Sequence, residues 1–196
     1  SPDREVRVPP AAKPSPAATP TAISLLHGKV TKVDSGDAFT ALITDGSTER
    51  VRLVGIDAPD PDQVWGDKSY FALAALLNGK DVVIRFRGRD AYGRILGRVI
   101  ADGKDVGLTQ LTNGNAWYMK ADAPQLTPPA RKLYPAAEAS AKKNRIGLWA
   151  DPAPVSPWDF RKGTGASELK TFEEKSEVKQ PDGFFGRVTS IFSGKS

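Results

Sequence analysis

Three short segments of the chain place acidic and basic side chains where predicted strands end. They are residues 33–39, 52–60 and 89–94. In the second segment, alternation puts Arg52 on one face of a strand, and Asp57 lies at the strand's exit. Two carboxylates at strand ends, with two arginines, could hold one divalent cation and clamp one phosphate. Phosphodiester cleavage needs this combination, because a metal, guanidinium groups and a carboxylate that orients water each stabilise part of the transition state.

The composition excludes several other site chemistries. The 196 residues contain no cysteine and a single histidine, His27. Disulfides, cysteine-ligated zinc, iron–sulfur clusters, cysteine nucleophiles and paired-histidine metal sites are therefore excluded. Any metal should be a hard cation with oxygen ligands. A net charge of +5 favours an anionic partner.

Runs of β-branched and apolar residues between turn signals predict the elements that position these side chains. The predicted strands cover residues 28–33, 38–44, 49–56, 81–87 and 94–101, with a further extended segment at 116–119. The predicted helices cover residues 67–77, 106–111 and 135–145. Five strands followed mostly by helices indicate an α+β, mainly β domain or a barrel with packed helices.

Changes in composition predict three regions. Residues 1–24 form a linker rich in proline and alanine, residues 25–162 the folded domain, and residues 163–196 a charged tail. Within the tail, the spacing of apolar residues predicts a short amphipathic helix over residues 183–193, with an apolar stripe from Phe184 to Phe192. This stripe could pack on the domain, on a second copy of the chain, on a partner or on a membrane. No apolar run is long enough to cross a bilayer, and the linker favours a secreted or envelope-associated protein.

The candidate site residues and their neighbouring motifs also follow a specific order along the chain. The order is Asp37, Arg52, Asp57-x-Pro-Asp60, Asp90-x-Tyr92-Gly93-Arg94, Ala137-Glu138 and Gly147-Leu148-Trp149. This order resembles the staphylococcal nuclease-like, or thermonuclease, family, and the resemblance extends over residues 28–158.

The resemblance implies a fold, an activity and a set of site residues. The implied fold is a five-stranded OB-fold barrel with about three packed helices, and the implied activity is Ca²⁺-dependent cleavage of DNA and RNA. Asp37 and Asp57 match the family's metal-binding carboxylates, while Arg52 and Arg94 match its phosphate-binding arginines. Asp60 stands where the family has the glutamate that acts on the attacking water.

Three further residues match the substrate side of the family's site or lie beside it. Tyr92 matches the tyrosine of the Tyr-Gly-Arg motif, Tyr118 lies at the edge that carries substrate-side aromatics, and Lys120 stands where relatives often have tyrosine. The grooved face of an OB barrel takes single-stranded nucleic acid with bases on aromatic side chains. The expected partner is therefore DNA or RNA, preferably single-stranded.

Two departures from the family pattern leave a second hypothesis open. Ala38 replaces a hydroxyl-bearing residue, and Asp60 is one methylene shorter than the family's glutamate. A misplacement of about 1 Å can cost on the order of 10²-fold in rate. The expectation is a slow nuclease, and the alternative is a weak or inactive OB-fold module that binds nucleic acid or protein. A carboxylate-pair glycosidase fits less well, because arginines suit phosphate better than a neutral sugar.

Overall fold

The structure is a computed structural model that describes residues 22–163. Most of the predicted linker and the predicted tail, including the helix around Phe184 and Phe192, lie outside the described residues. Residues up to Pro157 belong to one compact unit, and a second unit begins at Trp158. None of the helices within residues 22–163 is long and apolar enough to cross a membrane.

The described residues of the first unit form eight strands. They are β1 (Ser24–Val33), β2 (Ala38–Ile43), β3 (Thr48–Leu53), β4 (Ile56–Asp57), β5 (Asp81–Arg89), β6 (Ile95–Ala101), β7 (Lys104–Asp105) and β8 (Trp117–Tyr118). The predicted strand over 49–56 is split into β3 and β4. Gly55 lies at the break with φ of +82°, a left-handed conformation that glycine adopts without strain.

Five of these strands close into a barrel. β1 pairs antiparallel with both β2 and β5, β2 pairs with β3, and β5 pairs with β6. A parallel pairing of β3 with β6, in which Arg52 lies opposite Leu96, completes the ring. The predicted five-stranded OB-fold barrel is thus confirmed. The short strands β4 and β8 pair with each other outside the barrel sheet.

Helices pack on the barrel in the predicted order. They are α1 (Gly66–Leu77), α2 (Val106–Thr112) and α3 (Pro128–Lys143), with 3-10 helices at Lys120–Gln125 and Gly147–Ala150. A further short helix, α4 (Pro157–Arg161), follows at the boundary with the second unit. The sequence predicted a start at residue 135 for α3, but the helix begins at Pro128. Prolines are favoured in the first turn because their missing amide hydrogen would have no partner inside the helix there.

The core lies inside the barrel and continues under α1, α2 and α3. Phe39, Val51, Ile84 and Ile95 are fully buried at its centre. Tyr134 of α3 packs against Gly55, where an added Cβ would lie 2.9 Å from the ring. The break between β3 and β4 is therefore held in place by α3, and this fixes where the chain after Arg52 must run.

Candidate active site

The turn between β1 and β2 presents Asp37 at the barrel edge. Ser35 Oγ donates a 2.7 Å hydrogen bond to Asp37 Oδ1 within this turn. A Cβ on Gly36 would lie only 1.8 Å from Ser69 Oγ of α1, so glycine allows the turn to press against that helix. The carboxylate of Asp37 is therefore positioned both by its own turn and by the packing of the turn on α1.

One hydrogen bond connects Asp37 to the end of β4. Asp37 Oδ2 accepts from the backbone amide of Ala58 at 3.0 Å, and Ala58 directly follows Asp57. Asp37 is 8% exposed and Asp57 is 2% exposed. The structure thus brings the Asp37 carboxylate to the backbone next to Asp57, so the two acidic residues that the sequence assigned to a metal lie in neighbouring segments.

Arg52 lies beside these carboxylates and is held by two acceptors. Its Nη2 donates to the carbonyl of Ile56 at 2.9 Å, and its Nη1 lies 3.2 Å from Asp122 Oδ2. The side chains of Arg52 and Asp122 are 14% and 13% exposed. Asp122 also accepts from the amide of Gly55, so one carboxylate braces both the arginine and the turn after it.

Sequence reasoning did not find Asp122. It belongs to none of the motifs, and 70 residues separate it from Arg52. The only sequence signal near Asp122 is that it follows Tyr118 and Lys120, two predicted substrate-side residues. In the structure it lies in the 3-10 helix at Lys120–Gln125. A pairing over that distance in sequence depends on the closed barrel and not on residue spacing.

Arg94 reaches the same face of the barrel from the turn between β5 and β6. Leu96 lies opposite Arg52, and Arg94 directly precedes β6, two residues before Leu96 and so about 6–7 Å away along the strand direction. Its Nε lies 2.7 Å from Asp90 Oδ2. The two arginines assigned to phosphate are thus neighbours across the junction that closes the barrel.

Asp90 organises the turn that carries Arg94 and Tyr92. Partial burial acts to raise the pKa of Asp90, but hydrogen bonds from the Arg94 side chain and from the amides of Arg94 and Tyr92 outweigh it, so the pKa lies below its ordinary value. Tyr92 is 75% exposed, and the Arg94 guanidinium lies 5.6 Å from its ring centroid. This exposed ring is available for contact with a substrate.

Asp60 lies in the loop between β4 and α1, where several contacts fix its backbone. Its amide donates to Gln63 Oε1 at 3.1 Å, and its carbonyl accepts from the amide of Gln63 at 2.8 Å. Gln63 in turn donates to the carbonyl of Val155 at 2.7 Å. Gly66 lies so close that a Cβ there would be 2.1 Å from the Asp60 carbonyl oxygen. The loop therefore has little freedom to move Asp60.

Tyr118 and Lys120 occupy the edge next to β4. Tyr118 is half-buried, its backbone pairs with Ile56, and its amide donates to Glu138 Oε2 at 2.5 Å. Lys120 is exposed at the start of the 3-10 helix. The pairing places this edge beside the strand that ends in Asp57.

The residues present fit a hard divalent cation only in part. Asp37 and Asp57 supply carboxylate oxygens, the ligand type that Ca²⁺ prefers. Within residues 22–163 no group of three or more histidine, aspartate or glutamate side chains is arranged to hold a metal ion. A Ca²⁺ ion takes 6–8 oxygen ligands, so backbone carbonyls, water or the substrate phosphate would have to provide the others.

An OB-fold barrel that carries two buried acidic residues and two arginines at one edge has side chains of the kind that suit binding of a phosphate ester. Comparisons with known proteins identify the family. The family described as Staphylococcal nuclease homologue matches residues 50–151. The chain belongs to this staphylococcal nuclease family.

Its relatives carry nuclease names. A protein of Escherichia coli described as an uncharacterized endonuclease is 36% identical over 137 residues, which cover 69% of this chain and 85% of the relative. A Haemophilus influenzae protein with the same description is 33% identical, over 68% of this chain and 72% of the relative. A micrococcal nuclease of Shigella flexneri is 34% identical, over 70% of this chain and 82% of the relative. The family and these relatives support a nuclease function for this chain.

Proposed function

We propose that this protein is a Ca²⁺-dependent nuclease that hydrolyses phosphodiester bonds of DNA and RNA with low sequence specificity. The observation that carries the proposal is the hydrogen bond from the Ala58 amide to Asp37 Oδ2. It ties the Asp37 carboxylate to the backbone that directly follows Asp57, so the two buried acidic residues lie at one edge of the barrel. Carboxylate oxygens are the ligand type that Ca²⁺ prefers, so both side chains could contribute to one cation site.

Asp37 and Asp57 are the residues that would hold the ion. A bound Ca²⁺ ion would supply charge stabilisation at a phosphate oxygen and would help to orient water. Asp37 keeps lone pairs free for this role, because each of its oxygens accepts only one hydrogen bond from the described residues.

Arg52 and Arg94 bind and orient the phosphate. Their guanidinium groups present several N–H donors in a planar fork that matches phosphate oxygens. Asp122 and the Ile56 carbonyl hold Arg52, and Asp90 holds Arg94, so both donors are oriented before substrate arrives. Preoriented donors stabilise charge that develops in the transition state, and removal of one such donor costs about 10²–10³-fold in rate in other enzymes.

Asp60 accepts the proton of the attacking water or orients that water. Its carboxylate is shorter than a glutamate by one methylene, and its loop is fixed by Gln63 and by contact with Gly66. We therefore expect a nuclease that is slower than relatives with glutamate at this position.

Low sequence specificity follows from the kind of contacts available. Tyr92 is an exposed ring beside Arg94, Tyr118 borders the strand that ends in Asp57, and Lys120 is an exposed cation. Stacking on aromatic rings tolerates every base, because every base has a π-face. Single strands offer their bases to such rings, so we propose that single-stranded substrates are preferred.

The test is cleavage of single-stranded DNA, double-stranded DNA and RNA by the purified protein with Ca²⁺, with Mg²⁺ and with a chelator. We expect cleavage with Ca²⁺ that is lost in the chelator. Arg94→Ala should lower the rate by about 10²-fold or more. Lys104→Ala is the matched control, because Lys104 is exposed in β7 and carries the same charge. A wild-type rate in Ca²⁺ that equals the rate of Arg94→Ala would contradict the proposal. Salt-sensitive binding of nucleic acid without cleavage would favour the non-catalytic OB-fold module.

A further inference from the structure

A second cleft, separate from the carboxylate site, opens on the outer face of the barrel. It has a volume of about 250 Å³ and lies between the start of β1, strands β5 and β6, and the chain that follows the 3-10 helix at Lys120–Gln125. Its lining combines arginines with apolar side chains. This volume is below the range of about 300–1,000 Å³ that is usual for drug-sized ligands, so the cleft suits one small unit of a longer molecule.

The charge of the cleft is only partly neutralised. Arg98 lines it and is paired with Asp105 at 2.7 Å. Arg85 and Arg87 line it too, and neither has an ion pair or a side-chain hydrogen bond to the described residues. The other arginines of this part of the barrel are all held by acceptors; they are Arg50, Arg52, Arg89 and Arg94. The uncompensated charge is thus concentrated at Arg85 and Arg87.

The register of the sheet places Arg85 next to another arginine. Arg85 lies opposite Arg98 in β6 and opposite Leu25 in β1. Like charges placed directly opposite on neighbouring strands are destabilising. Asp105 compensates Arg98, while nothing in residues 22–163 compensates Arg85. An anion in the cleft would remove this repulsion.

The remaining lining is suited to an aromatic or apolar body with an N–H donor. Ile23 and Leu25 are 54% and 51% exposed at the rim, and Leu126 lies at the wall. Gln125 also lines the cleft, and its Oε1 atom is buried with no hydrogen-bond partner among the described residues. A buried acceptor without a partner costs free energy, and a donor from a ligand would satisfy it.

The cleft is close to the candidate active site. Gln125 follows Asp122 by three residues in the same 3-10 helix, which is one turn or about 6 Å along the axis. Asp122 holds Arg52, so the helix connects the two places directly. A strand bound at Arg52 therefore needs to extend only a short distance to reach the cleft.

We propose that this cleft is a subsite for one nucleotide of the substrate strand, outside the nucleotides that flank the cleaved bond. Arg85 and Arg87 bind its phosphate, the apolar wall at Leu25 and Leu126 contacts its base, and Gln125 Oε1 accepts an N–H from that base. Exocyclic amino groups of adenine, cytosine and guanine are donors of this kind. The subsite rests on the proposed nuclease function for its ligand, but it is a binding site and needs no catalysis.

The test is equilibrium binding of a fluorescent single-stranded DNA oligonucleotide in a chelator, where no metal-dependent cleavage occurs. Each phosphate contact contributes about −0.7 to the slope of the logarithm of affinity against the logarithm of salt concentration. The double variant R85A/R87A should make the slope less steep by about 1.4 if both arginines contact phosphate. The matched control is K29A/K104A, which removes two exposed charges near the other ends of β5 and β6.

The results distinguish the subsite from general attraction to a basic surface. A smaller slope in R85A/R87A, with the slope of K29A/K104A near that of the wild type, supports the subsite. Equal changes in both double variants overturn it, and so does wild-type protein that does not bind the oligonucleotide. The variant R85Q/R87Q removes both charges but keeps side chains of similar size, and it should show the same less steep slope, so it serves if the alanine variant fails to fold.

Gln125→Met tests the base contact separately, because methionine has a similar length but lacks the amide oxygen. We expect about a 2- to 10-fold loss of affinity for a cytosine oligonucleotide with no change in the salt slope. An unchanged affinity would overturn the role of Gln125. If the nuclease proposal fails, the wild type will not cleave nucleic acid in Ca²⁺. The binding measurements are made without Ca²⁺, so they still test the subsite in that case.

Discussion

Asp122 Oδ2 lies 3.2 Å from Nη1 of Arg52, and the same oxygen accepts a hydrogen bond from the Gly55 amide. The carboxylate therefore fixes the arginine and the turn that leads to Asp57 at the same time. Both side chains are largely buried, so solvent screens the pair only weakly. Asp122 is thus a positioning residue for Arg52, the arginine that we propose binds phosphate.

Asp122→Asn should lower kcat on the order of 10-fold without raising KM. Asparagine keeps an acceptor for Gly55 but loses the charge that holds Arg52, so the guanidinium is less well oriented for the transition state. Its attraction for the phosphate in the ground state is not reduced, because a competing carboxylate has been removed. Steady-state kinetics on an oligonucleotide measure this split.

The control for this change is Asp102→Asn. Asp102 forms an exposed ion pair with Lys80 at 2.9 Å, and exposed pairs contribute little to stability. We expect unchanged kinetics for this variant. A kcat for Asp122→Asn equal to that of the wild type would show that Asp122 does not position Arg52.

The two buried carboxylates predict a specific response to calcium. Ca²⁺ should raise the melting temperature of the wild type, since a ligand that binds only the folded state stabilises it by about 2.7 kcal/mol at 100 times its Kd. Asp57→Asn should lose this shift.

Differential scanning calorimetry with and without Ca²⁺ checks this prediction, with Asp102→Asn again as the surface control. The control should keep the full calcium shift. An equal calcium shift in Asp57→Asn and in the wild type would remove Asp57 from the set of ligands.

Much of the fold and part of the site could be predicted from local patterns. Asp37, Asp57 and Arg94 each follow or precede a strand within a short motif, and the ends of strands are marked by glycine and proline. The start of α3 was predicted too late, at Pro135, whereas Pro128 and Pro129 occupy the first turn of the helix. Both readings obey the same preference, so the sequence pattern alone could not decide between them.

Residues that act through long-range contacts could not be predicted. Gln63 holds the Asp60 loop by donating to Val155, which is 92 residues away, and Asp122 reaches Arg52 across 70 residues. These contacts exist because the parallel pairing of β3 with β6 closes the barrel and because α3 packs on Gly55. Neither residue type nor spacing encodes such pairings locally.

Asp60→Glu should raise kcat, by on the order of 10- to 100-fold if position is the defect. The Asp60 backbone is fixed by two hydrogen bonds to Gln63, so it has little room to move closer and compensate for the shorter side chain. The added methylene would extend the carboxylate without moving the loop. Single-turnover cleavage with Ca²⁺ measures the change.

Asp62→Glu is the matched control for this extension. Asp62 is exposed two residues further along the same loop, and we expect no change in rate. Asp62→Asn also tests whether Asp62 acts in place of Asp60. A large loss of activity in this variant would assign the role of acting on the attacking water to Asp62. No gain for Asp60→Glu would show that the short side chain does not limit the rate.

The lowered pKa of Asp90 predicts how stability depends on pH. Because the folded state favours the ionised carboxylate, this stabilisation is present above the ordinary carboxylate pKa of about 3.9 and is lost as the pH falls through the lower folded value. Asp90→Asn keeps acceptors for the turn amides but loses the ion pair with Arg94. Its melting temperature should therefore lie below that of the wild type at neutral pH and approach it in acid.

Melting temperatures measured from neutral to acid pH test this, with Asp81→Asn at an exposed position as the control. A difference between Asp90→Asn and the wild type that stays constant over the whole range would show that Asp90 ionisation does not stabilise the turn that carries Arg94.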